Sequence, residues 1–206
     1  MENSQRINSP ESSRSIRRKG RMHYAITDYI LDIVENAIDA GSSVITADVT
    51  DNGEFISVCV GDNGPGMNEE TIKKVRDPFY SDGTKHKGRK VGLGIPFVEQ
   101  AALAAGGEFD LRSEEGTGTS VYFSFRKDHV DCPPLGDIPG NAVSMMMFNG
   151  DYELIFSSGS GKERFSVSRS ELVEALGSLD TADSLILAKR YIADNVTHIA
   201  EEKGDR

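Results

Sequence analysis

Cysteine is nearly absent from this chain, with two in 206 residues: Cys59 in an apolar alternating stretch and Cys132 beside two prolines. So few, so placed, form neither a disulfide framework nor a paired metal-ligand spacing. His129 lies close to Cys132, but no further ligands accompany the pair, and the two are read as unrelated. Also missing is any run approaching the roughly 18–20 apolar residues of a membrane helix, and the opening MENSQRINSP lacks the apolar core of a signal peptide. A cytoplasmic protein with no membrane contact is expected. Positive charge is scarce beyond residue 22: the first 22 residues hold six Lys and Arg against two Glu, and the remainder carries −14 of a net −10. An acidic body repels nucleic acid, and the basic head SRSIRRKGR has no aromatic residue to stack on bases. Residues 1–22 are therefore read as a disordered, solvated tail. Repeats and long low-complexity segments are absent as well.

What remains is a soluble, globular mix, 37% hydrophobic and 27% charged, long enough for one ordinary domain and a small second one. Over residues 26–40, Ile26, Ile30, Ile33, Val34 and Ala37 fall on one side of a helix that Gly41 stops. Alternating stretches at 43–51 and 54–62 flank Asp51-Asn52-Gly53 and read as a hairpin. A short helix is expected over 68–76, capped by Asn68 with Glu69 and Glu70 in its first turn. Another follows over 93–105, ended by Gly106-Gly107, and strands at 108–113 and 119–125 flank a glycine turn. This order predicts an α+β fold, a two-layer sandwich with helices on one face of a mostly antiparallel sheet.

The proline-rich stretch 127–140 cannot continue a central strand and is read as a linker. Beyond it, 141–206 should form a small C-terminal α+β extension. A Met-rich helix over 138–148 leads into it from the end of the linker, followed by a hairpin turning over 157–162 and two helices from Ser168 onward. SGSGK at 158–162 hints at a phosphate-binding loop, but Phe156 stands where the first glycine is needed and Glu163 where a magnesium-binding hydroxyl belongs. It reads as a hairpin turn.

On the first helix Asp32, Asn36 and Asp39 stand at i, i+4 and i+7, which stacks them opposite the apolar stripe. Four phrases follow in order: Asp62-Asn63-Gly64-Pro65-Gly66-Met67 at a strand end, Asp77-Pro78-Phe79-Tyr80 in a loop, Gly92-Leu93-Gly94 opening a helix, and Gly116-Thr117-Gly118-Thr119 opening a strand. Each alone is weak, but the ordered set is specific.

The set resembles the ATP-binding domain shared by gyrase, heat-shock chaperones, histidine kinases and MutL, over residues 23–126. LDIVENAIDAGSS is similar to its N box, GDNGPGM to its first glycine box, GLGIPFVEQAALAAGG to its second and GTGTSVYFSF to its last. The phrasing from Pro78 onward is closest to histidine kinases, whereas VENAIDAGSS is closer to MutL. The resemblance implies the Bergerat-type sandwich, ATP and Mg2+. It implies nucleotide contacts from Asn36, Asp39, Asp62, Gly64, Gly66, Met67, Phe79, Lys85, Lys90, Gly92, Leu93, Gly94 and Thr119.

In those implied roles Asn36 offers its oxygen to magnesium, a hard cation that takes its other ligands from phosphates and water. Asp62 accepts the exocyclic amine of adenine, which guanine lacks at that position. Gly64 and Gly66 let the chain turn close to the base, and Thr119 supports the same corner. The basic loop with Lys85, His86, Lys87, Arg89 and Lys90 ends at a helix N-terminus and is read as a lid over the triphosphate. Where histidine kinases have a glycine two positions before Gly92, this chain has Lys90. Hydrolysing members carry Glu four residues before the magnesium-binding Asn, where this chain has Asp32, its candidate catalytic residue, so slow hydrolysis is expected.

A self-contained sensor kinase is not expected, because only 22 residues precede His23, and no acidic residue follows that histidine as in a phosphoacceptor motif. The roughly 80 residues after the ATP-binding stretch are too few for the second domain of MutL or gyrase. Two readings stay open: an ATP-hydrolysing or protein-phosphorylating regulator, or a nucleotide-sensing module whose ATP-bound form contacts a protein. The expected partner meets the C-terminal region or the lid, and a homodimer is one form it could take.

Overall fold

The computed structural model describes residues 25–77, 94–160 and 163–201, with side chains described as far as residue 196. Helix α1 (Ile26–Asp39) leads into the hairpin β1 (Val44–Asp51) and β2 (Phe55–Asp62). Two helices, α2 (Glu69–Val75) and α3 (Gly94–Ala104), precede a second hairpin, β3 (Phe109–Glu114) and β4 (Gly118–Arg126). Then come α4 (Ile138–Met146), β5 (Glu153–Ser160), β6 (Glu163–Ser168), α5 (Arg169–Leu176) and α6 (Ala182–Glu201). Asn68 caps α2 by accepting the Thr71 N–H at 2.9 Å, as its position before two glutamates suggests.

The six described strands form one sheet in the order β3-β4-β2-β1-β5-β6. All neighbours pair antiparallel except β1 and β5, which run parallel. Composition separates 127–140 as a linker and 141–206 as an extension, yet β5 and β6 lengthen the same sheet. The reason is that β1 lies at the end of the first four strands and has one edge open, which β5 satisfies residue for residue from Val44↔Glu153 to Thr50↔Gly159.

Residues 133–136 also do more than connect. The carbonyls of Pro134 and Leu135 accept the N–H groups of Ile26 and Thr27 at 2.9 and 3.1 Å, satisfying two donors that a helix start leaves orphaned. Gly136, at φ +91°, turns so tightly here that a side chain would collide with Thr27 Oγ1.

The expected turn at 157–162 is shorter than Ser157-Ser158-Gly159-Ser160 suggests, because β5 and β6 run on to Ser160 and from Glu163. These small residues remain in strand because β5 is bonded on both sides, to β1 and to β6. SGSGK thus begins in strand β5, which is no phosphate-binding loop.

Alternation sorts the sheet into two faces. Ala47, Val58, Val60, Val121, Phe123, Phe125, Leu154 and Phe156 are buried against the helices. The other face carries a hydroxyl-rich set that includes Thr46, Ser57, Ser120, Tyr122, Ser157 and Ser166, in which Tyr122 donates to Ser57 and Ser157 to Ser166. The core therefore lies wholly on the helical side, beneath α1, α3, α4 and α6. Burying each large side chain there contributes about 1.5–3 kcal/mol.

Candidate functional site

Helix α1 ends in a Schellman motif that places the first element of the site. Gly41, at φ +87°, donates its N–H to Ile38 O at 2.9 Å, and Ser42 donates to Ala37 O at 3.1 Å. This leaves Ser42 buried, 3% exposed, with its hydroxyl donating to Asp62 Oδ1 at 2.8 Å. The Gly64 N–H donates to the same oxygen at 2.7 Å. Among the described residues Oδ2 of Asp62 has no hydrogen-bond partner, so one carboxylate oxygen is held and the other is available.

Register brings the rest of this corner together. Ser113 pairs with Thr119, and Thr119 with Asp62, across β3, β4 and β2. The next helix-facing row, Leu111, Val121, Val60 and Ala47, is buried and apolar throughout. On β3, β4 and β2 the helix-facing side thus turns from apolar to polar in its last row, which continues on β1 and β5 as Ile45 and Leu154. Ser113 Oγ lies 2.9 Å from Thr119 Oγ1, donates to Gly118 O at 2.9 Å, and accepts the Met67 N–H at 2.8 Å. A depression of about 600 Å3 straddles these strand ends, with Asp62 and Thr119 on its helical side and Thr46, Gly61 and Ser120 on the open face.

The glycines here are matters of clearance. Gly66, at φ +63°, sits so close to the β3–β4 turn that a Cβ would stand 1.9 Å from Glu114 O. A Cβ on Gly118, at φ +133°, would stand 2.0 Å from Asp62 O. No rearrangement of a flexible side chain relieves either clash, because both partners are backbone. Asn63, inside the same motif, works structurally: its Oδ1 accepts the N–H groups of Ser43 and Val44 at 3.0 and 2.9 Å, fixing the entry to β1.

The second half of the site is the polar face of α1. Asp32 is half-buried, and Asn36 and Asp39 are exposed. The start of α3 approaches this face closely: a Cβ on Gly94 would lie 3.4 Å from Asp32 Oδ2 and 3.9 Å from Asn36 Nδ2. Asp32 and Asn36 thus flank the N-terminal end of α3, the end where backbone donors favour an anion. Among the described residues no group of three His, Cys, Asp or Glu could hold a metal ion. Phe79, Lys85, Lys90, Gly92 and Leu93, and with them the expected lid, lie outside the described residues, as does His23.

Asp62, Gly64, Gly66, Met67 and Thr119 are therefore brought together at the strand ends, and Asp32, Asn36 and Gly94 at the start of α3. Ser42 and Ser113 join the first group without having been singled out in the sequence. Gly41 offered a signal for Ser42, since a helix-ending glycine fixes where the next residue points. Ser113 offered none, because its place depends on the β3–β4 register.

Comparison of the sequence with known proteins gives the family. The family model described as histidine kinase-, DNA gyrase B-, and HSP90-like ATPase matches residues 24–129, just over half of the chain, and the chain belongs to that family. Sporulation kinase C of Bacillus subtilis is 34% identical over 91 residues, covering 43% of this chain and 20% of that protein. Sensor histidine kinase WalK of the same organism is 31% identical over 106 residues, covering 48% and 17%. Histidine protein kinase DivJ of Caulobacter vibrioides is 29% identical over 102 residues, covering 47% and 17%. The matched stretch is thus a fifth or less of each relative. It carries a histidine kinase-like ATPase domain, homologous to sensor histidine kinases, in the α+β sandwich described above.

Proposed function

We propose that the chain binds ATP with magnesium between α1, the 62–67 turn and the strand ends, and couples binding to slow hydrolysis or to phosphotransfer onto a separate protein. The observation that carries this reading is the polar row Ser113, Thr119 and Asp62 closing an apolar sheet face, with one Asp62 oxygen held by two donors. An acceptor so oriented suits the exocyclic amine of adenine. Gly66 and Gly118 keep the turn against the strand ends, and Thr119 keeps its hydroxyl beside the acceptor.

The α1 face suits magnesium by donor chemistry. Asn36 offers an exposed amide oxygen, a hard donor, with phosphate oxygens and water completing the shell. Bound magnesium would neutralise triphosphate charge. Asp32, beside the start of α3, is the carboxylate that would orient water at the phosphate end. Asp39 lies one turn further on the same face, and Lys85 and Lys90, outside the described residues, are the candidate phosphate contacts.

The relatives' names support transfer to a protein, and α6 leaves Ile186, Leu187 and Tyr191 exposed, which supports the C-terminal region as a partner-facing surface. Among the described residues no helix is long and apolar enough to cross a membrane. A second reading, a nucleotide sensor with little turnover, is favoured by one observation: the residue four before Asn36 is Asp32, shorter by one methylene than the glutamate of hydrolysing relatives.

Incubating the pure protein with labelled ATP and magnesium separates these readings. Label released as phosphate indicates hydrolysis, and label on protein indicates transfer. Bound ATP with neither supports the sensor. Failure to bind ATP removes the proposal.

A further inference from the structure

We propose that Ser42 is a positioning residue that sets base selectivity, by committing one oxygen of Asp62 to the protein and thereby the other to the nucleotide. The inference rests on the reading of Asp62 as the adenine acceptor and assigns a new residue to that site.

An ionised carboxylate offers about four lone-pair positions and rotates about its last bond unless its oxygens are made unequal. Here they are made unequal by two donors on Oδ1, the Ser42 hydroxyl at 2.8 Å and the Gly64 N–H at 2.7 Å. Both contacts are charge-assisted, the stronger class of hydrogen bond. The Gly64 donor belongs to the same turn as Asp62, two residues on, and moves with it. Ser42 is independent of that turn, because it is fixed to α1 through Ala37 O and buried. It is therefore the external reference against which the carboxylate is oriented.

Gly64 reinforces the arrangement from the other side. A Cβ there would stand 2.4 Å from Ser42 Oγ and 2.8 Å from Asp62 Oδ1, so only glycine leaves room for the hydroxyl to reach its acceptor. The motif glycine thus protects the Ser42–Asp62 contact as well as shaping the turn. Removing the hydroxyl leaves Oδ1 with the Gly64 donor alone, and the carboxylate is then free to present either oxygen, or a tilted pair, to the base.

A merely structural Ser42 would affect all nucleotides alike, and base selectivity tells the two roles apart. Calorimetry with magnesium would compare ATP with purine riboside triphosphate, which lacks only the 6-amino group. The wild-type protein should prefer ATP by about tenfold or more, the worth of one hydrogen bond to a charged group. In Ser42→Ala the preference should fall below about threefold, through weaker ATP binding, while the purine riboside triphosphate affinity stays within about twofold. Ser42→Cys, nearly equal in size but a weaker donor, should lie between and keeps the test available if the alanine variant folds poorly. Retention of the full preference in both variants, or an equal loss for both nucleotides, overturns the role of Ser42 and leaves Asp62 in place. A wild-type protein without any preference overturns the Asp62 assignment itself, and Ser42 with it.

Discussion

Thr119 stands directly opposite Asp62 across the β2–β4 ladder, although 56 residues separate them in the chain. Their side chains share the helix-facing side of the last row, where one presents a carboxylate and the other a hydroxyl. If Asp62 is the adenine acceptor proposed above, replacing it with Asn exchanges one acceptor oxygen for a donor turned toward the amine. Asp62→Asn should weaken ATP binding by about 1–3 kcal/mol, read by calorimetry. Equal ATP affinity in the variant, or equal wild-type affinity for GTP, would sink the assignment.

Asp32 stands beside the first turn of α3, where a Cβ added to Gly94 would come within 3.4 Å of its carboxylate. Shortening a general base by one methylene withdraws it by about 1.5 Å, and a misplacement near 1 Å costs on the order of a hundredfold in rate. Slow wild-type turnover is expected, with Asp32→Glu faster and Asp32→Ala slower by roughly tenfold or more. Phosphate-release assays at saturating ATP decide it: unchanged turnover in both variants removes Asp32 from the mechanism.

Gly118 and Gly66 hold the site's shape through backbone clearance. Gly118→Ala puts a methyl group at 2.0 Å from Asp62 O and demands a positive φ of alanine. The substitution should destabilise the fold by at least about 2 kcal/mol, and Gly66→Ala by a similar amount. Denaturant titration measures both. A loss below about 0.5 kcal/mol would show that the turn can move away, and with it the argument from clearance.

Asp137 links the segment after β4 to the last helix. It caps α4 through the Gly140 N–H at 3.0 Å and accepts from Lys189 of α6 at 2.6 Å. Lys189 first, then the Gly140 N–H, hold its carboxyl below the usual value of 3.8. A group with a depressed folded pKa binds fewer protons when folded than when unfolded. Its contribution is therefore complete above pH 3.8 and is lost as pH falls through the lower, folded value. Both side chains are about half exposed, so the ion pair is worth at most about 1 kcal/mol. Asp137→Asn should cost about that much at pH 7 in denaturant titrations, and the deficit should shrink below pH 3.8. A deficit that stays constant down to pH 2.5 would place the effect in packing instead of charge.

Much of this protein is determined by sequence alone. The apolar stripe and Gly41 bound α1, Asp51-Asn52-Gly53 closes the first hairpin, and the ordered glycine phrases single out Asp62, Gly64, Gly66 and Thr119. These are local signals, in which hydrophobic period, turn chemistry and capping act within a few residues. Tertiary structure alone decided the rest. No local feature says that β5 will pair with the free edge of β1, since parallel pairing depends on which edge remains open. Nor does one say that Ser113 and Thr119 will share a row with Asp62, since register joins residues by hydrogen-bond phase across strands. Ser42 lies between the two cases: its Schellman geometry is local, but its partner is found only when helix and strand pack. The site is legible in sequence as a list of chemical groups, and becomes a constellation only when the ladder sets which of them stand opposite one another.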